Sequence, residues 1–180
     1  MENVLISATG YTGSGGYELY IPNAHAEKIW NSLIDNGAEP CGLAARNTLR
    51  IEMGYCLYGN DIDDSTSPIA AGLRWCTEFS KDFVSKDIIE QQKAVGTNTK
   101  RVGFVLNERG IPRQGYSLKD VAGNDIGIVT SGTQSPSLEK GIGMGYVGRE
   151  HAIVGNNINV IIRNKSILAT ITSLPFYHAS

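Results

Sequence analysis

The chain of 180 residues lacks any run of about 18 apolar residues, the length a membrane-crossing helix needs. Its first residues, Met-Glu-Asn-Val-Leu, carry neither a basic region nor a long apolar stretch, so no signal peptide is expected. Basic residues are not in surplus. Sixteen Lys and Arg against 18 Asp and Glu leave a net charge of -2, which argues against a dedicated binder of nucleic acid or membrane surfaces. Cysteine is scarce and odd in number. Cys41, Cys56 and Cys76 contain no C-x-x-C pair, so they read as reduced thiols and the expected compartment is the cytoplasm. His25, His151 and His178 stand far apart without metal-ligand spacing, so no metal is expected.

Three catalytic or ligand motifs are also incomplete. The stretch Gly10-Tyr11-Thr12-Gly13-Ser14-Gly15-Gly16 lacks the Lys-Ser/Thr of a phosphate loop, and a strand follows it where that loop requires a helix N-terminus. Asp61-Ile62-Asp63-Asp64-Ser65 has no glycine at the sixth position of a calcium loop and Gly72 at the twelfth, where a glutamate is needed. Ser131 and Ser135 lie in Gly/Pro-rich surroundings without the G-x-S-x-G elbow of a nucleophilic serine.

What the chain has in quantity is glycine, 21 residues, which indicates many turns and much β structure. Hydrophobic content of 41% with 19% charged residues is ordinary for a globular protein able to bury a core. Val4 to Ala8 and Tyr17 to Ile21 form the apolar arms of a hairpin around the glycine-rich turn. On the second arm Tyr17, Leu19 and Ile21 share one face, so Glu18 and Tyr20 point to the other. Asn23 is placed to cap a helix with the apolar stripe Ile29, Trp30, Leu33 and Ile34, ended by Gly37. A further helix runs from about Gly42 to Gly54. Leu43, Leu49 and Met53 are its expected buried residues, Arg46 and Arg50 share a face, and Glu52 is expected to be exposed. Leu57 to Gly72 reads as an acidic loop and Ser85 to Gln92 as an amphipathic helix.

Val95-Gly96-Thr97-Asn98-Thr99 is small, polar and aperiodic, the best linker in the chain. Beyond it short strands follow at close spacing: 101–106, 116–121, 126–131, 143–147, 157–163 and 167–172, several separated by Gly or Asn turns. The expected class is α+β, a partial split β-α-β (ferredoxin-like) domain over residues 1–95 and an antiparallel β-barrel over 96–180.

Gly10-Tyr11-Thr12-Gly13 with Gly16-Tyr17-Glu18, then Gly42-Leu43-Ala44-Ala45-Arg46, then Leu57-Tyr58-Gly59-Asn60-Asp61-Ile62-Asp63 resemble the glycine cleavage T-protein (aminomethyltransferase) family. Val129-Thr130-Ser131-Gly132, Ser135-Pro136, Gly145-Tyr146-Val147 and Pro175-Phe176 fit that family's C-terminal domain. The resemblance runs through essentially the whole chain in order and corresponds to the C-terminal half of the family.

That resemblance implies transfer of a one-carbon unit from the aminomethyl-loaded lipoyl arm of the H protein to tetrahydrofolate, with release of ammonia. It implies that Glu18 holds the aminopyrimidine edge of the pterin, a shape from which a carboxylate accepts two hydrogen bonds. Arg46 matches a folate-contacting arginine. Tyr11 and Tyr177 are implied near the folate, and Arg113 near the cavity or the H protein. Tyr55, Tyr58 and Trp75 are candidates either to wall the pterin or to sit in the core. The family's acid-base aspartate lies in its N-terminal half and matches no residue here, so no catalytic residue is assigned. Three other readings stand beside this one. A non-catalytic folate-binding module would bring a Lys-Gly-Cys-Tyr-type signature, which is absent; the folate domain of a sarcosine- or dimethylglycine-oxidising flavoenzyme would need a flavin-binding half upstream; a plain β-rich interaction domain would bind no folate.

Overall fold

The computed structural model describes residues 4–178. They fall into two compact units that meet in sequence at Arg50 and Ile51.

In the first unit, β1 (Leu5–Ser7) and β2 (Glu18–Tyr20) pair antiparallel, Leu5 opposite Tyr20 and Ser7 opposite Glu18. Directly opposed residues share a face. Glu18 therefore lies with Tyr20 and Ser7, and Leu19 with Ile6, as alternation predicts. Helix α1 (Ala26–Asp35) follows. Asn23 does not cap it: Asn23–His25 form a 3-10 turn that leads into the helix, and no side chain caps the first turn of α1. The far end behaves as expected, with Gly37 and Ala38 N–H groups donating to Ile34 and Leu33 carbonyls at 2.9 and 3.0 Å. The apolar stripe of α1 is helical but uncovered: Trp30, Leu33 and Ile34 are all exposed.

Helix α2 (Leu43–Glu52) corrects the expected burial. Leu43 and Leu49 are exposed, while Arg50, Ile51 and Glu52 are each at most 2% exposed. Three consecutive helical residues span about 200° of the helix circumference. The last turn is thus enclosed on most of its sides, a situation that a one-sided stripe cannot predict. Arg46 is exposed and Arg50 buried, so the two do not present a common cationic face.

In the second unit, helix α3 (Lys86–Val95) precedes six strands: β3 (Thr99–Leu106), β4 (Ser117–Lys119), β5 (Asp125–Ser135), β6 (Lys140–Gly148), β7 (Asn157–Ile162) and β8 (Lys165–Thr172). They close an antiparallel barrel in the order β3-β6-β5-β4-β7-β8. Its centre is filled by Val102, Phe104, Leu106, Leu118, Val129, Val147, Ile158, Val160, Ala169 and Ile171. Closure leaves none of the barrel strands as a free sheet edge. Burying a side chain such as Phe104 completely contributes on the order of 2–3 kcal/mol.

Strand β6 shows how the barrel makes room for these groups. A Cβ at Gly143 would lie 2.5 Å from the Phe104 ring, and one at Gly145 would lie 3.0 Å from Leu118 Cδ1. Glycine at every second position therefore gives the large residues of facing strands their space. The intervening Ile142 and Met144 point the other way and are nonetheless fully buried. The outer wall is covered as well.

Candidate functional site

The cover on that outer wall is the segment after α2. Arg101 of β3 donates from Nε to the Ala71 carbonyl at 2.8 Å and from Nη1 to the Gly54 carbonyl at 2.9 Å, and its backbone N–H reaches the Ala70 carbonyl at 2.8 Å. Asp61, 1% exposed, accepts from the Leu57 N–H at 2.9 Å, the Ser131 hydroxyl at 2.8 Å and the Thr130 hydroxyl. Successive strand residues ordinarily face opposite ways. Here the β5–β6 register slips between Val129 and Ser131, and such a bulge lets two neighbours face one side. The bulge is why Thr130 and Ser131 both reach the same carboxylate. Tyr146 adds a bond from its hydroxyl to the Asp61 carbonyl at 2.8 Å. Burial pushes the Tyr146 phenol up to about 12; the Arg101 guanidinium opposes this, and Cys56, Asp61 and Asp63 reinforce it.

Glu52 is a second buried carboxylate, the reverse of the exposure expected for it. It accepts hydrogen bonds from the Ser135 hydroxyl and, at 3.0 Å, from the Ser137 hydroxyl. Its main-chain carbonyl receives the N–H groups of Phe176 and Tyr177 at 2.8 and 3.2 Å, which anchors the C-terminal segment. The only sequence signal for this was the pair of serines flanking Pro136. By contrast Asp63 is exposed and holds a local turn, with Ser65 and Thr66 donating to it. Those hydroxyl and backbone donors keep its carboxyl below the usual range. Tyr58 donates to Asp64, an interaction that raises the phenol. Tyr55, Tyr58 and Trp75 are all exposed, so none of the three is core.

The expected ligand residues divide between the units. In the first, Gly10 closes the turn after β1: a Cβ there would stand 2.2 Å from the Gly15 carbonyl oxygen, so only glycine fits. The turn holds Tyr11 half-buried, and the Arg46 guanidinium lies 4.5 Å from the centre of the Tyr11 ring. The local partner of that cation is an aromatic face. Glu18, half-buried at the start of β2, accepts a hydrogen bond from the Thr9 hydroxyl. The first unit thus places an oriented carboxylate on the returning strand and a stacked guanidinium–phenol pair at the turn. In the second unit Arg113 is exposed in the β3–β4 connection, and its carbonyl accepts the Tyr116 N–H at 3.2 Å. Tyr177 is 39% exposed and tied by its main chain to Glu52. Among the described residues no three His, Cys, Asp or Glu side chains group as a metal site, and no helix is long and apolar enough to cross a membrane.

The GCVT N-terminal domain family matches residues 1–81, and the glycine cleavage T-protein C-terminal barrel domain family matches residues 99–178. The chain belongs to the glycine cleavage T-protein family. Among T-protein relatives, the aminomethyltransferase of Flavobacterium psychrophilum is 51% identical over 181 residues, covering 98% of this chain and 50% of that protein. The aminomethyltransferase of Bacteroides thetaiotaomicron is 52% identical over 181 residues, covering 97% of this chain and 50% of that protein. The crystal structure of glycine cleavage system aminomethyltransferase T from Bartonella henselae superposes with a TM-score of 0.91 at 36% identity, covering 98% of this chain and 50% of that one. The chain therefore spans about half the length of the T-protein relatives it matches, and corresponds to the C-terminal half of the family.

Proposed function

We propose that this chain supplies the C-terminal half of an aminomethyltransferase, with residues 1–95 completing the folate-binding domain and 96–180 forming the barrel domain. The reaction moves a one-carbon unit from the aminomethyl-lipoyl arm of the H protein to tetrahydrofolate. The carbon–sulfur and carbon–nitrogen bonds of the aminomethyl group break, ammonia leaves, and the products are methylene-tetrahydrofolate and the dihydrolipoyl H protein. Tetrahydrofolate is a substrate here. The cytoplasm is the compartment this reading favours.

The observation that carries the reading is the Glu18, Tyr11 and Arg46 arrangement on a chain 51% identical to an aminomethyltransferase. A Glu18 carboxylate oriented by Thr9 accepts the two adjacent N–H groups of an aminopyrimidine edge. Arg46, braced on Tyr11, offers its outer N–H donors to the folate, and Tyr177 and Arg113 lie toward the folate and the lipoyl arm. Catalysis of this kind is mainly positioning of folate N5 against the aminomethyl carbon. Proton handling falls to an aspartate in the half this chain does not span. The chain by itself is expected to show no aminomethyl transfer.

The test is calorimetric titration of 5-methyltetrahydrofolate into the chain co-purified with the N-terminal half of the Flavobacterium psychrophilum relative. Binding that is lost in Glu18→Ala and weakened in Arg46→Ala supports the assignment. Undiminished binding by Glu18→Ala refutes it, and turnover by the chain alone refutes the division of labour.

A further inference from the structure

We infer that β1, β2 and the apolar stripe of α1 form a docking surface whose occupant is the N-terminal half of a T-protein-family chain. This rests on the family reading above and adds the surface to it. No residue between 4 and 49 is buried, although this stretch contains two strands and a ten-residue helix with an apolar stripe. The hairpin is apolar on both faces: Leu5 and Tyr20 on one, Ile6 and Leu19 on the other. With Trp30 and Leu33 of α1, these six side chains are between 39% and 63% exposed. A strand apolar on both faces belongs to a sheet covered on both sides. A two-stranded ribbon also leaves backbone donors and acceptors open along both outer edges, and such a ribbon is marginal without further strands or a packed helix.

The occupant follows from length. The Bartonella henselae T structure superposes on 98% of this chain at a TM-score of 0.91, yet that is only 50% of its own chain. The same strands and helix therefore occur in a protein with as much polypeptide again. The complementary half matches what the surface needs: apolar cover on two faces and strands able to extend an open edge. Whether that half is joined to this chain or separate does not alter the surface chemistry.

The experiment co-expresses the 180-residue chain with an affinity-tagged N-terminal half of the Flavobacterium psychrophilum relative, followed by pull-down and light scattering. The expected result is a one-to-one complex. Ile6→Glu with Leu33→Glu should reduce the recovered chain at least tenfold, with its circular dichroism unchanged because both residues are already solvent-facing. Val84→Glu, on an exposed apolar residue of the second unit, should leave recovery unchanged. Hydrogen exchange should slow at 5–7, 18–20 and 26–35 on complex formation. Absence of a complex, a complex indifferent to the Ile6/Leu33 pair, or a homodimer of this chain that survives the tagged half would each overturn the inference. Folate titration of the same complex separates the two claims. A complex that binds no folate leaves the surface standing and sinks the function, and folate binding without a complex does the reverse.

Discussion

Asp61 and Asp63 stand two residues apart in one acidic loop, and their removal should have opposite consequences. Asp61→Ala strands the Leu57 N–H and the Ser131 and Thr130 hydroxyls, all of which now point at a buried carboxylate. Leaving a buried donor unsatisfied costs about 1–3 kcal/mol. The Thr130 hydroxyl keeps the Met144 carbonyl 3.3 Å away as an alternative acceptor, so two donors bear the full loss. The expected destabilisation is therefore about 3–5 kcal/mol. With a urea m-value of about 2 kcal/mol/M, the unfolding midpoint should fall by roughly 2 M. Asp61→Asn retains one acceptor and should fall between Ala and the unaltered chain. Asp63→Ala removes an exposed turn acceptor whose three donors turn to water, and its midpoint should stay close to that of the unaltered chain. Urea titration followed by circular dichroism compares all three. An Asp61→Ala midpoint no lower than that of Asp63→Ala would refute the claim that this carboxylate pins the loop to the barrel wall.

Two further expectations concern the same unit. Glu52→Ala unpairs the Ser135 and Ser137 hydroxyls, with an expected loss of about 2–3 kcal/mol in the same titration; a neutral result would show that the carboxylate is dispensable and only the Glu52 main chain matters. Tyr146 titrates at about 12 when folded against 10.0 for the model phenol, so the folded state holds this proton more tightly than the unfolded one. Its contribution to stability is fully present below pH 10, declines as pH rises between about 10 and 12, and should be missing from the alkaline limb of Tyr146→Phe.

The elements set by near neighbours were legible in the sequence. The six barrel strands were expected within a few residues of their observed places, because β-branched runs broken by Gly and Asn turns specify strands locally. The hairpin faces followed from a period of two, and the end of α1 from Gly37. The glycine-rich turn was read as a turn, and its tightest contact, Gly10 against Gly15, is only five residues long in sequence. Tyr11 and Arg46, named separately from two motifs, meet in the structure, but nothing in their spacing required the guanidinium to lie over the ring.

Burial of polar groups was decided elsewhere. Helical periodicity marked Leu43 and Leu49 as inward and left Glu52 to solvent, whereas the fold exposes the leucines and encloses Glu52. The partners of Asp61 and Glu52 lie 69 to 85 residues away, beyond the reach of any local pattern. The bulge that turns both Thr130 and Ser131 toward Asp61 is a property of how β5 registers on β6, not of the Val129-Thr130-Ser131 wording. By itself, then, the sequence determined which segments are strands, helices and turns, since those depend on side chains within a turn or a pleat of one another. Only the tertiary structure decided which carboxylates are buried, because burial depends on what distant strands bring to the same place.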